Sequence, residues 1–366
     1  MKGRIDLQKV LLALAAPVIA VIFAALVSSV VLLISGDAPL HVFKVMLDFG
    51  TQPQQIVNIL NRSTTYYLSA VAVAIGFRMN LFNIGVDGQY RLAAFLAAAV
   101  GGNIHLPRPL HVLVIILVAM LVGAMWAGIA GLLRTGRGVS EVISTIMLNF
   151  IAAGVIAYLL SPGKLAVQLD LNNIGTKPIG NSGQMPGFST SGGEIFGFIV
   201  IAVLVGIGYS VLLNRSRFGF DLRATGMSES AAVASGVNVK RMILTSMLLS
   251  GAVAGLVGMP VLLGSAHTFS LDFQSGAGFT GIAIALLGRN HPIGMAIGAL
   301  LWSFLDISAQ ILDLESVPKE ITIIMQGVIV LSVVIAYELV RRFGIAQEQR
   351  RVRARLSSTD PAEVAA

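Results

Sequence analysis

Residues 110–133 read LHVLVIILVAMLVGAMWAGIAGLL, 24 consecutive positions without an Asp, Glu, Lys or Arg. As a helix rising about 1.5 Å per residue, this run covers about 36 Å, enough to cross the ~30 Å hydrocarbon core of a bilayer. Outward from it, apolar runs of crossing length recur near 10–35, 56–77, 139–161, 194–213, 241–263, 291–312 and 319–341. Two shorter segments rich in Gly and Ala, near 85–101 and 277–289, read either as crossings or as short helices that dip in behind other protein. Backbone polar groups in the bilayer core have no water to bond, so each of these segments is expected to be helical where lipid touches it. Composition agrees: 12% of residues are charged and 55% are hydrophobic, whereas a soluble domain carries about 25% charged residues. The expected fold is all-α, a polytopic membrane bundle of about ten transmembrane helices. Residues 1–343 would form the membrane part and 344–366 a basic and polar tail, expected to be disordered.

The positions of the charges set the orientation. Lys2, Arg4 and Lys9 precede an apolar run from Val10 to Ile34, 25 residues long. A cleavable signal has an apolar core of roughly 7–15 residues, so an uncleaved first span is expected. With ten crossings and the N-terminus inside, 19 Lys and Arg fall on the inner side and 6 on the outer, out of 25 in all. Removing one of the two ambiguous crossings would put the basic loop near 214–241, or the Arg-rich end of the chain, outside. The positive-inside rule therefore favours ten crossings with both termini cytoplasmic. The net charge of +7 lies at the ends of apolar runs and not on a soluble face with interleaved aromatics, which argues against nucleic acid as a partner. The longest outer loop, 162–193, carries Pro162, Gly163, Pro178, Gly180, Gly183, Pro186 and Gly187 and should be built from turns.

The inner loop 214–241 reads NRSRFGFDLRATGMSESAAVASGVNVKR. Ser228 is placed to cap a helix, Glu229 lies in its first turn, and Gly236 is a natural stop. A helix of about seven residues with small side chains is marginal in water by itself. It is either a plain connector or a coupling helix seated in a motor subunit, with Arg215, Arg217, Arg223, Lys240 and Arg241 holding the flanks at anionic headgroups.

Four stretches carry a family resemblance. Leu222-Arg223-Ala224-Thr225-Gly226, followed by Ala231-Ala232 and Gly236, resembles the coupling motif of ABC importer permeases of the branch serving ribose, branched-chain amino acids and nucleosides. NLFNIGVDGQYRLAAF (80–95) resembles a signature of that branch. VSEVISTIMLNFI (139–151) and GFTGIAIALLGRNHPIGMAIGAL (278–300) resemble its nucleoside and simple-sugar subgroup. The resemblance implies a permease subunit of the bacterial cell membrane that imports nucleosides or related simple sugars. It implies three partners: a cytoplasmic ABC ATPase that holds the ATP and Mg, an extracytoplasmic substrate-binding lipoprotein, and a second, related permease. Arg223, Ala224, Gly226, Ser228, Glu229, Ala231, Ala232 and Gly236 would then meet the ATPase.

Polar residues inside spans are costly and face a cavity or one another. Asn83, Asp87 and Gln89 stand beside Gly85 and Gly88, which loosen the backbone. They read either as caps of the next helix, with Arg91 four residues past Asp87 as an ion-pair partner, or as lining of a substrate path. Glu141, Thr145 and Asn149, each four apart, form a polar stripe that either bonds neighbouring helices or lines the same path, and Glu141 is also within reach of Arg134 or Arg137. Asp306 and Gln310 lie near the outer end of a span. Gly251/Gly255 and Gly294/Gly298 are pairs of small residues suited to close helix packing.

Several classes are excluded. The chain has no cysteine, so disulfides and thiolate chemistry are out. No G-x-x-x-x-G-K-[ST] loop occurs, so ATP hydrolysis would belong to a separate chain. The five histidines stand singly, without metalloprotease spacing. An ion-coupled secondary transporter of a small polar solute remains the alternative, with Asp87 and Glu141 as ion sites. No residue cluster suggests a membrane enzyme.

Overall fold

The computed structural model describes residues 22–333 except 171, 172, 316 and 319, together with positions 335, 339, 342 and 349. The expected tail after Phe343 (apart from position 349) and the first half of the first apolar run lie outside the described residues. In chain order the helices are α1 (Ile22–Ser35), α2 (Pro39–Gly50), α3 (Pro53–Phe77), α4 (Val86–Asn103), α5 (Arg108–Arg137) and α6 (Glu141–Leu159). After two small hairpins, β1–β2 (Val167–Asp170, Asn173–Gly175) and β3–β4 (Phe188–Thr190, Gly193–Ile195), come α7 (Phe198–Arg215), α8 (Arg217–Met227), α9 (Glu229–Ala234) and α10 (Val239–Gly255). A single turn, α11 (Met259–Val261), leads through a π-turn to Ala266, and α12 (Ala277–Leu287), α13 (Pro292–Leu312) and α14 (Glu320–Val333) follow.

Among the described residues, five helices are long and apolar enough to cross a bilayer: α5, α6, α7, α13 and the stretch Val239–Ala266. A sixth arises if α1 and α2, bent by 112° at their junction, count as one span. The other expected runs are helical as well but depart from a plain apolar span. α3 has 25 residues, yet its first half carries Gln54, Gln55, Asn58, Asn61 and Arg62. α4 is nearly all buried. α12 has 11 residues, about 16 Å of helix, and covers only half a core. The helix α2, the helix α8 and the two hairpins were not legible beforehand, because none has a crossing-length apolar run.

Leu47–Ser308 forms one compact unit. Its tightest seam lies between α5 and α10, where Gly123 faces Gly251 and Gly255. A Cβ on Gly255 would overlap the Ala119 carbonyl, and one on Gly251 would overlap that of Gly123. Small residues here bring two backbones into van der Waals contact, the main source of helix association in lipid. At one end of this unit, the hairpin region is tied down by Thr176 N–H to Phe269 O at 2.8 Å and Ile179 N–H to His267 O at 2.8 Å. Buried His111 bonds Gly101 O and Ser182 Oγ there, each at 2.9 Å. The connectors 78–85, 134–140 and 214–241 and the 288–291 turn share the opposite end.

The other unit takes the described residues up to Met46 and from Ala309 onward. Leu32, Val42 and Met46 are buried in it, and His41 Nε2 lies 3.6 Å from Glu315 Oε2 in an exposed pair.

Candidate functional site

Between α3 and α4 the chain makes a tight loop. Asn80 takes a left-handed φ of 55°, which Asn tolerates better than most residues. Asn83, fully buried, then turns back on α4: its Oδ1 accepts from Gly85 N–H at 3.1 Å and from Gln89 Nε2 at 2.8 Å. Its Nδ2 donates to Gln89 Oε1 at 3.0 Å and to Ser250 Oγ at 2.9 Å, and Ser250 donates in turn to Ala72 O at 2.7 Å. Asn149 of α6 completes the start of α4, accepting from Gly88 N–H at 2.8 Å and donating to Ile84 O at 3.0 Å. The glycines are required by proximity: a Cβ on Gly88 would sit 2.8 Å from Asn149 Cα, and one on Gly85 3.0 Å from Thr145 Cβ.

Asp87 does something the sequence did not announce. Its Oδ1 accepts from Gly276 N–H at 2.8 Å and Gly278 N–H at 3.2 Å. It therefore caps α12, a helix almost two hundred residues downstream, and from its own helix Tyr90 and Arg91 also interact with it. A carboxylate here satisfies orphan N–H groups and meets the positive end of the helix dipole. Around it Tyr90 donates to Gln274 O at 2.7 Å and Ser69 to Ala277 O at 2.8 Å. Upstream, Phe269 packs edge-on against Phe95 with ring centroids 5.5 Å apart. Residues 269–276 thus lead from the hairpin region to Asp87, and α12 continues from there as a half-helix starting inside the bundle. The missed signal was in α12 itself, whose Gly276-Ala277-Gly278 start has no side-chain cap and leaves room for another chain's carboxylate.

The remaining members of the polar stripe divide. Thr145, fully buried, bonds Glu141 O at 2.7 Å within its helix. Glu141, also buried, pairs with Arg134 at 3.4 Å. Asp306 accepts from the Tyr66 hydroxyl and lies 3.9 Å from Arg62. It is thus a bridge between α13 and α3 in addition to a polar end.

In the 214–241 loop, α8 is capped by Ser216, whose Oγ accepts from Gly219 N–H at 3.0 Å. Ser228 ends α8 and caps α9, accepting from Ala231 N–H at 3.3 Å. Gly236, at φ 82°, closes α9 with Val237 N–H to Ala232 O at 3.0 Å, the left-handed stop for which glycine is suited. The six-residue α9 lies where a helix of about seven was expected. Ala232 is its one buried side chain, while Glu229, Ala231 and Val233 are exposed. Arg223 donates to Leu213 O and ties α8 to α7. Phe220, Met227 and Val233 are exposed apolar residues, Met227 at 88%.

One loop joins the two regions. Asn80 Nδ2 donates to Gly226 O at 2.6 Å, and Gly226 packs so close that a Cβ there would sit 2.8 Å from Arg78 O. Arg78 Nη2 donates to Asn290 O at 2.9 Å, which also accepts from the Tyr209 hydroxyl at 2.8 Å. Residues 78–87 therefore touch α8 at Gly226, the turn after α12 at Asn290, and the start of α12 through Asp87. Asn80 belongs to the polar cluster of 80–91 read from sequence, whereas Arg78, Ser69, Tyr90 and Ser250 were not singled out, since single polar residues beside apolar runs carry no pattern.

The chain matches the family described as branched-chain amino acid transport system / permease component over residues 55–334. It is 33% identical over 336 residues to the guanosine ABC transporter permease protein NupP of Bacillus subtilis (strain 168), covering 88% of this chain and 93% of that one. To the glucose ABC transporter permease protein TsgB13 of Haloferax volcanii it is 29% identical over 350 residues, 93% and 92% of the two chains. To the nucleoside ABC transporter permease protein NupB of Lactococcus lactis subsp. cremoris it is 28% identical over 331 residues, 88% and 90%. Matched from the first turn of α3 to the end of α14, this multi-pass membrane protein belongs to the permease-component family of the branched-chain amino acid transport systems.

Proposed function

We propose that the chain is the permease subunit of an ABC importer that moves nucleosides, or related simple sugars, inward by alternating access. The observation that carries this reading is the near full-length similarity to permeases named for guanosine, nucleosides and glucose. The chemistry of the junction supports a neutral cargo over an amino acid. Half-helix N-termini in transporters commonly hold a substrate carboxylate. Here Asp87 already fills that place at α12, so a second carboxylate would meet an anion instead of open N–H groups. The ion-coupled alternative gains no support: Asp87 is held by two N–H groups and Glu141 by Arg134.

In this reading ATP and Mg sit on a separate ATPase that grips α9 and the α8–α9 corner. Of the residues expected there, Glu229, Ala231 and Gly236 face outward, joined by Met227 and Val233. Ser228 and Ala232 set the shape of α9, and Arg223, Ala224 and Gly226 hold α8 on the bundle. Asn83, Asp87, Gln89, Glu141, Thr145 and Asn149 frame the path, giving the half-helix a fixed seat about which α12 moves. A second, related permease completes the pore. Both B. subtilis and L. lactis carry a second permease similar to this chain, NupQ and NupC, each 25% identical, which supports a heterodimer. A substrate-binding lipoprotein delivers cargo outside, residues 1–343 lie in the membrane, and 344–366 form a cytoplasmic tail.

The test is uptake of radiolabelled guanosine into proteoliposomes holding both permeases and the ATPase, with binding protein added. Uptake is expected to require ATP and binding protein and to be indifferent to a protonophore. Uptake that collapsed with the protonophore and ignored ATP would overturn the proposal.

A further inference from the structure

A groove of about 630 Å³ runs between α3, α7 and α13. Its wall on α7 extends from Ile199 to Val211, about 18 Å of helix, against about 15 Å for one leaflet's half of the hydrocarbon core. Its base is made of small residues, Ala202, Gly206 and Ala296. Gly206 is held against the Tyr67 hydroxyl, where a Cβ would overlap that oxygen. Val203, Ile207, Val211 and Ile293 on the rim are each more than half exposed, so none of the described residues covers them.

The two ends differ in charge. Toward Leu60, Ile199 and Leu300 the lining is mostly apolar, with the Ser63 and Thr64 hydroxyls turned onto Leu60 O, whereas the other end closes on His291 and Ser210. Beyond Val211 the line Ile207–Val211 continues, at the four-residue helical spacing, to Arg215. That arginine is exposed and forms no ion pair with any described residue. Arg217 is exposed one step further on. This is the end that the charge distribution places at the cytoplasmic surface, where anionic headgroups lie.

We propose that this groove is a binding site for an anionic phospholipid of the cytoplasmic leaflet, its acyl chain along α7 and its phosphate at Arg215 and His291. The length of one leaflet, the apolar far end and the cationic near end match such a lipid feature by feature. The proposal rests on the orientation, not on which solute is carried.

The assembled importer, reconstituted in nanodiscs of phosphatidylcholine with phosphatidylglycerol and then released, is examined by native mass spectrometry. About one phosphatidylglycerol per copy of this chain is expected to survive, with phosphatidylcholine held less. Arg215→Gln should lower that preference about five-fold. Ala296→Phe, which fills the groove and leaves Arg215 in place, should abolish retention of both lipids. Equal retention in both variants and the parent would overturn the site. Should Ala296→Phe fail to assemble, Ser210→Cys decides, since the chain has no other cysteine. With a benzophenone attached to that thiol, photocross-linking to phosphatidylglycerol supports the proposal, and photocross-linking to the second permease sinks it.

Discussion

The junction at Asp87 and the α8–α9 pair deal with their surroundings in opposite ways. At the junction, polar side chains lie among apolar helices, and the hydrogen bonds of Asn83, Asp87, Gln89 and Asn149 end on groups of this same chain. At α8–α9, apolar side chains (Phe220, Met227 and Val233) face outward and are left exposed by the described residues. The first region is complete and the second is not. A saturated polar network in low dielectric is stiff, because each group left unpaired would cost desolvation without return. A short helix with exposed apolar residues is instead built to gain stability from a partner. Movement received at the incomplete region would therefore be passed through the complete one with little loss.

The largest effect should come from breaking the complete region. Asp87→Leu leaves the Gly276 and Gly278 N–H groups unpaired inside the bundle, at about 1–3 kcal/mol each. Folded yield on size-exclusion chromatography should fall severely, and uptake more than ten-fold. Asp87→Asn keeps an acceptor oxygen and should recover most of the yield. Equal yields for Leu and Asn would mean that the cap on α12 does not matter.

Next in size is the incomplete region, where position within α9 decides the outcome. Val233→Arg adds charge on an exposed side chain, so the permease should fold with unchanged thermal stability while ATP-driven uptake drops about ten-fold through loss of ATPase docking. Ala232→Arg forces a long cation into the buried side of the same helix and should lower stability as well. If the two substitutions behaved alike, α9 would not have an inner and an outer face.

The contrast also governs what could be read beforehand. Long apolar runs such as 110–133 state their own conformation, because a bilayer admits only a helix, and the Ser228 to Gly236 segment states its ends through local capping chemistry. Asn83 and Glu141 were legible in part for the same reason, since Gly85, Gln89 and Arg134 lie within seven residues of them, although Ser250, the other partner of Asn83, does not. Asp87 was not. Arg91, four positions on, attracts it as the spacing suggests, but the N–H groups it caps, at Gly276 and Gly278, are about 190 positions away and nothing in the spacing of 80–91 points to them. The half-helix α12 was ambiguous as a span because length and apolarity do not reveal that Phe269–Gly276 leads into the bundle to its start at Asp87. Ala232 was grouped with its exposed neighbours because a six-residue helix of small side chains has no amphipathic pattern.

The link between the regions should give a smaller, more specific effect. Asn80→Gly keeps the left-handed backbone and removes the Nδ2 bond to Gly226 O, an interaction worth about 0.5–1.5 kcal/mol. Expression and basal ATP hydrolysis should be unchanged, while guanosine moved per ATP falls about three-fold. An unaltered ratio would remove the 78–87 loop from the route between α8 and α12.

The smallest effect is expected at Glu141. Its partner Arg134 is about a third exposed, and ion pairs with solvent access are worth about 0–1 kcal/mol. Glu141→Gln keeps the shape and the hydrogen-bonding capacity toward Arg134, so the melting temperature should move by no more than a few degrees. The informative measurement is uptake at several external pH values with and without a protonophore. If Glu141 serves as a structural tie between α5 and α6, the variant and the parent trace the same curve. If it bound a driving ion, the variant would lose uptake while keeping its stability. That result would join Glu141 to the working parts of the molecule and remove the distinction between a sealed interior and a surface awaiting its partner.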